Sequence, residues 1–247
     1  MGTIIGSFLN VCIYRIPKKE SINYPGSHCM SCGHNLKPLD LMPVLSYIGL
    51  KGRCRYCHSK VSIQYPLIEI INGILYMLIY HYFGIGITSV AYGILFSTLL
   101  TIALIDYETM RIPNPLIIFG IAVGVIYLMV QALYMKDMMI IVWGIMGLFV
   151  GGSIIGMIMI FSLLVFKKEG MGMGDLKLLA MIGLFAGSKN AFFTIFIAII
   201  IGGFYAVILL IRKKQDMFPF GPFLSTGAVL AILWGDVLWH TYLNYML

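Results

Sequence analysis

The sequence predicts an all-α, polytopic integral membrane protein with about eight transmembrane helices and one long polar loop. Three observations carry that reading. The 247 residues are 60% hydrophobic and only 11% charged, where an ordinary soluble domain carries ~25% charged residues. Apolar stretches of roughly membrane length recur along the whole chain. The basic residues between them fall on alternate connections, which is the signature of a fixed orientation in a bilayer.

The spans read as 1–14, 66–83, 86–105, 115–134, 138–166, 176–188, 190–211 and 220–243. The first is short: fourteen residues at ~1.5 Å rise cover about 21 Å of a core about 30 Å thick. Arg15 ends it and opens the polar segment 15–64, which holds four of the five cysteines and eight of the 17 lysines and arginines. Placing this segment in the cytoplasm and alternating sides assigns it Arg111, Lys167, Lys168, Lys177, Arg212, Lys213 and Lys214 as well. Only Lys136 and Lys189 fall on the far side. The net charge of +7 therefore records orientation rather than a nucleic-acid surface. The domain reading is 1–14, a first short transmembrane helix; 15–64, a cytoplasmic tetracysteine loop; and 65–247, a transmembrane region.

Within the loop, Cys29-x-x-Cys32 and Cys54-x-x-Cys57 stand 21 residues apart. Two such pairs with a spacer near 20 predict a tetrahedral thiolate zinc site. Four thiolates saturate the ion, so the site is structural, and His28, His34 and His58 are surface residues. The segment is too small for a hydrophobic core, and the metal supplies folding free energy. Disulfides are disfavoured because the charge count puts the loop in a reducing compartment.

The remaining spans are read in order. Glu69 lies one turn into 66–83, either reaching back to a basic loop residue or binding a substrate amine or basic side chain. The span 86–105 runs into Asp106, after which Pro113 and Pro115 stop the helix. The pairs Gly120/Gly124, Gly147/Gly151, Gly152/Gly156 and Gly183/Gly187 predict close helix contacts. The short span 176–188 follows Gly172-Met173-Gly174-Asp175. Asp236, beside Trp234, Trp239 and His240, reads as an interfacial anchor.

Asp106 and Asp175 are acids in a chain that tolerates few, and an ionisable group at the hydrocarbon edge has function as its default reading. The topology puts both on the cytoplasmic face. Brought together, two carboxylates hold one proton between them; the ionised one takes a proton from water and the protonated one polarises a carbonyl. Gly172 and Gly174 leave room for an extended substrate backbone. The plain alternative is that both acids cap helices. It suits Asp175, at a helix start. It does not suit Asp106, at a helix C-terminus, where the macrodipole opposes an anion.

Asp106 with Ile112-Pro113-Asn114, followed by Gly172-Met173-Gly174-Asp175-Leu176-Lys177, resembles the type IV prepilin peptidases, which are intramembrane aspartyl proteases of the Gly-x-Gly-Asp type. Gly6-Ser7-Phe8-Leu9-Asn10-Val11 and Arg15-Ile16-Pro17 are similar to that family's opening motif. The cysteine loop and Tyr65-Pro66-Leu67-Ile68-Glu69 follow in the family's order. The resemblance implies an enzyme of the bacterial inner membrane. It would cut the short basic leader of prepilins or pseudopilins on the cytoplasmic side, just after a Gly. It also implies that the new α-amino group is methylated from S-adenosylmethionine, as in many members. Asn10 and Arg15 are candidates for the methyl-transfer pocket. The chain has no Gly-x-Gly-x-x-Gly turn in a βαβ unit, so methylation rests on the resemblance alone. The rival readings are a metal-responsive transporter, with the cysteines as sensor and the aspartates as ion path, and a non-catalytic pilus-assembly scaffold. Transport favours acids at mid-membrane and inverted repeats, and the sequence shows neither.

Overall fold

The computed structural model describes residues 1–167, 171–212 and 218–246, with side chains described as far as Gly235 except at Phe166. Lys168, Lys213 and Lys214 of the charge count, and the side chains of Asp236, Trp239 and His240, lie outside the described residues. The described regular elements are helices, with two isolated β-bridges. The chain divides into two compact units, Met1–Gly84 and Ile85–Leu247.

The first unit holds helix α1 (Gly2–Arg15), a single 3-10 turn (Pro38–Leu41), the short α2 (Leu45–Gly49) and α3 (Gln64–Phe83). Helices α1 and α3 pack backbone against backbone. A Cβ on Gly6 would lie 2.7 Å from the Glu69 Cα, so only glycine permits this approach. Polar side chains lock the pair, as between helices in lipid. Asn72 Nδ2 donates to the Gly2 carbonyl at 2.7 Å and Asn10 Nδ2 to the Tyr65 carbonyl at 3.2 Å.

The second unit holds α4 (Ile87–Thr109), α5 (Asn114–Met135), α6 (Met139–Phe166), α7 (Met173–Ile211) and α8 (Gly221–Met246). The stretches 176–188 and 190–211, expected as separate spans, are joined in α7 across a kink at Gly187. Its φ of 75° and ψ of 173° are non-helical, and glycine reaches that positive φ without steric cost. Among the described residues, five helices are long and apolar enough to cross a membrane: α3, α4, α5, α6 and the bent α7. Helix α1 is short, and the described apolar part of α8 is Gly221–Gly235.

Helix α4 is the buried centre of this unit. Over its most apolar stretch 56% of residues are buried, against 11% in α6. The apolar residues left exposed on α6, such as Phe149 and Leu164, suit lipid rather than water. Glycines fix the close crossings. A Cβ on Gly147 would run into the Gly183 carbonyl oxygen, and one on Gly151 would lie 2.5 Å from the Leu179 oxygen. Gly120 and Gly124 make room on α5 for Met181, Leu184 and Phe185 of α7. Gly152 and Gly156 have only ordinary neighbours beyond 3.5 Å.

Candidate active site and metal centre

Asp106 lies in the last turn of α4, which ends when Met110 turns left-handed and its N–H bonds the Asp106 carbonyl at 2.7 Å. Asp175 is the third residue of α7. Sixty-nine positions apart in sequence, both are buried, 5% and 9% exposed. They are near enough for the charge of Asp106 to act on Asp175.

Each carboxylate is held at a helix N-terminus. Asp175 Oδ2 accepts the Gly172 N–H at 3.1 Å, so the capping role is real. Asp106 Oδ2 accepts the Gly221 N–H at 2.9 Å. In the first turn of α8, Pro222 has no N–H, and Phe223 and Leu224 donate to the Phe220 carbonyl. The Gly221 donor is thus the one left to face an anion. The position of Asp106 at the unfavourable end of its own helix is explained by the favourable end of another. A Cβ at Gly221 would lie 2.6 Å from Asp106 Oδ2, so no other residue fits without displacing the carboxylate. Sequence reading missed Gly221. Its trace there is Phe220-Gly221-Pro222, a Gly-Pro opening an apolar helix.

Two other motifs converge on the pair. A Cβ at Gly174 would lie 3.0 Å from the Ile112 Cβ, and Lys177 Nζ donates to Asn114 Oδ1 at 3.0 Å. The space at Gly174, expected for substrate backbone, is filled by Ile112; Gly174 serves the seating of α7 on the Ile112-Pro113-Asn114 segment. Gly172 is exposed, and a Cβ there would meet Asp175 Oδ2 at 3.4 Å, an ordinary contact.

In the first unit the cysteine loop is built as two equivalent knuckles. His28 bridges Asn35 around Cys29, and Arg53 bridges Lys60 around Cys54. In each, the cysteine N–H bonds a carbonyl five residues on, from His34 at 2.9 Å and from Ser59 at 2.9 Å. Gly33 and His58 take the matching positive φ, 69° and 58°. The Sγ atoms of Cys29, Cys32, Cys54 and Cys57 all lie within 4.8 Å of one another. Cys29 and Cys57 stand 3.8 Å apart, about the sulfur spacing around a tetrahedral zinc with bonds of ~2.3 Å.

The thiols are free rather than bridged. Backbone N–H groups of Cys32 and Ser31 pull the Cys29 thiol down to about 6, and the Ser59 hydroxyl pulls Cys57 down. Cys32 is pushed up to about 11: the His34 N–H pulls it the other way, but burial and the neighbouring Cys57 and Cys29 outweigh that pull. Crowded thiols resist complete ionisation until a cation joins them. His34 stacks on Tyr56 at 3.6 Å, and the histidines stand outside the cluster.

Glu69 is 7% exposed. Its Oε2 accepts the Val44 N–H at 2.7 Å; among the described residues no basic side chain pairs with it. Arg15 is also buried, donating to the Ser21 and Gly26 carbonyls at 3.0 and 3.4 Å.

Residues 1–83 match the bacterial peptidase A24 N-terminal domain, and residues 93–207 match the type IV leader peptidase family. Over its whole length the chain is 30% identical to a prepilin leader peptidase/N-methyltransferase of Pseudomonas putida, covering 92% of that protein. The chain belongs to the type IV leader peptidase family. A Bacillus subtilis relative of the same description is 30% identical, over 100% of this chain and 96% of its own. One from Pseudomonas aeruginosa is 30% identical over 99% and 92%. No solved structure matches. In this leader peptidase the two family matches fall almost on the two compact units. Asp106 and Asp175 lie inside the second match, and Gly221 lies beyond its end.

Proposed function

We propose that this protein is an aspartyl endopeptidase of the bacterial inner membrane that removes the short basic leader of type IV prepilins or pseudopilins at the cytoplasmic face, and then methylates the new N-terminus. The observation that supports the peptidase reading is that two buried carboxylates, Asp106 and Asp175, each have one oxygen bonded by a backbone N–H at a helix start.

Asp106 and Asp175 share one proton. The ionised carboxylate takes a proton from water as the water oxygen bonds the scissile carbonyl carbon. The protonated carboxyl gives its proton to the carbonyl oxygen. Collapse of the tetrahedral species breaks the C–N bond, the leaving nitrogen takes a proton, and the pair again holds one. Gly172 N–H and Gly221 N–H hold the two carboxylates in place throughout, so little reorganisation is needed. Gly172, exposed and in contact with Asp175, is the place for substrate backbone.

Zinc is the metal that suits the Cys29, Cys32, Cys54 and Cys57 cluster, in a structural role. S-adenosylmethionine would supply an electrophilic methyl group.

The deciding experiment is a cleavage assay with a prepilin-like peptide in detergent. Asp106→Asn and Asp175→Asn each abolish cleavage while the protein still inserts in the membrane. Substantial turnover by either variant removes that aspartate from the mechanism.

A further inference from the structure

The polar loop carries an apolar surface of its own. Leu39 in the 3-10 turn, Met42 just after it, and Leu45 and Ile48 in α2 are all exposed, with Leu39, Leu45 and Ile48 at 68%, 63% and 66%. The 3-10 turn and α2 touch, and Leu45 and Ile48, three positions apart, share one helix face. The other side of α2 is occupied, because Ser46, Tyr47 and Leu50 line the interior cleft of the first unit. Apolar surface gathered and exposed in this way marks a contact with a partner or a membrane.

One hydrogen bond fixes where this surface sits. Glu69 Oε2 accepts the Val44 N–H at 2.7 Å, and Val44 immediately precedes α2. Helix α3 has 20 residues, which rise about 30 Å, the thickness of the hydrocarbon core. Gln64 therefore stands at one edge of the core, and Glu69, in the second turn of α3, lies roughly 7–8 Å inside it. Helical side chains lean back toward the start of their helix, so the amide that Glu69 holds lies near the boundary. The chain accepts strain for this placement. Val44 is the centre of a γ-turn, with the Leu45 N–H donating to the Pro43 carbonyl at 2.6 Å and φ, ψ of 62° and −48°. That form of turn is rare and strained, and more so for a β-branched residue. It persists only where the surroundings hold it, and the bond to Glu69 does so.

The charges suit lipid as the occupant. Lys37 and Lys51 flank the segment, and both are exposed. Asp40, the one acid within residues 38–49, is already paired with Arg55. Apolar side chains set between lysines match the boundary where acyl chains meet anionic headgroups. We propose that residues 38–49 lie in the plane of the membrane surface. Leu39, Met42, Leu45 and Ile48 enter the top of the acyl chains, and Lys37 and Lys51 sit among the phosphates. Glu69 is the positioning residue that ties the loop to the bilayer at one depth. The inference stands on the span of α3 and draws on neither the peptidase nor the methylation reading.

The test places the full, zinc-loaded chain in nanodiscs of phosphatidylcholine and phosphatidylglycerol. Leu45→Trp is compared with the unsubstituted protein, whose own tryptophans give the background, in lipids brominated near either end of the acyl chain. The added fluorescence should be quenched about twofold or more strongly by bromine near the glycerol than by bromine near the tail, as for a side chain at the headgroup boundary. A phospholipid with a diazirine at the top of its acyl chain, mapped on the wild-type protein by peptide mass spectrometry, should mark residues 38–49 and needs no variant to fold. Glu69→Leu removes the acceptor and should cut that labelling severalfold. Glu69→Gln keeps a carbonyl oxygen for the Val44 N–H and should restore it. Zinc content per chain checks that the knuckles have formed in each variant. Absence of shallow quenching together with absence of label in residues 38–49 overturns the proposal. So does a photocrosslinker at position 45 that captures residues beyond Gly84 or a prepilin-like peptide in place of lipid, since the surface then belongs to the second unit or to the substrate. Full labelling in Glu69→Leu overturns the positioning role of Glu69.

Discussion

The two units solve the same problem by opposite means. Each must hold together residues far apart in sequence. In Met1–Gly84 the long-range cohesion of the loop comes from polar chemistry: four sulfurs gathered for a metal, an Arg55–Asp40 ion pair and hydrogen bonds to backbone. In Ile85–Leu247 it comes from the absence of side chains. Gly147, Gly151 and Gly183 let α6 and α7 touch through their backbones, and Gly221 lets α8 reach a carboxylate. In lipid there is no hydrophobic drive between helices, so close van der Waals contact replaces it. The loop of the first unit should therefore fail when its metal is taken, and the α6–α7 packing of the second when volume is added.

The largest expected effect lies in the second unit and separates the two activities. Asp106→Asn or Asp175→Asn should lower cleavage by roughly 10³-fold or more, as for groups that act together. Methyl transfer to an already cleaved peptide should continue, because it needs neither carboxylate to activate water. Mass spectrometry of intact and pre-cleaved peptides reads both. Joint loss of the two activities would mean that both reactions draw on the carboxylates.

Gly221→Ala comes next. The added Cβ pushes Asp106 aside, and a misplacement of about 1 Å can cost about 10²-fold. The loss should fall on kcat with KM nearly unchanged, since Gly221 acts through the carboxylate and does not hold peptide. A rise in KM alone would make Gly221 part of substrate binding.

These two predictions differ in how visible their residues were beforehand. The aspartates stand out as charges in an apolar chain, and the cysteines by their spacing. Both are side-chain signals: the four cysteine sulfurs lie within 4.8 Å of one another, and both aspartates are buried at helix ends. The eight apolar stretches are also helical, but composition could not show that 176–188 and 190–211 join across Gly187. That kink is a matter of one residue's φ. Gly221 was invisible for the same reason: its contribution is a backbone N–H and a missing Cβ, neither of which has a residue pattern of its own. Gly174 shows the converse. Its motif was read as space for substrate, yet the space belongs to Ile112, a neighbour that only the folded chain reveals.

Cys29→Ser, or prolonged chelation, should affect the units unequally. Metal binding and folding are one process in a loop without a core, so zinc loss should open the knuckles around Cys29 and Cys54. Cleavage should fall by less than in the aspartate variants. Metal analysis, limited proteolysis of the loop and peptide kinetics on one preparation test this. A metal-free protein whose loop resists protease as well as before would show that the loop holds its shape by hydrogen bonds alone.

The smallest expected effect lies at the seam between two motifs. Lys177→Met removes the hydrogen bond to Asn114 but keeps an unbranched apolar chain. That bond is exposed, so its net worth is about 1 kcal/mol or less, and kcat/KM should drop by no more than about fivefold. Gly174→Ala acts on the same seam with a different cause. Its Cβ would press on Ile112 at 3.0 Å, tilting the start of α7 and with it the Asp175 carboxylate. It should therefore cost more than Lys177→Met, and its cost should shrink when Ile112 is shortened to Val or Ala. A double-mutant cycle between positions 174 and 112 reads that coupling directly. Strong coupling places the Gly174 effect inside the protein. Additive losses would return the glycine to the substrate, as its motif first suggested.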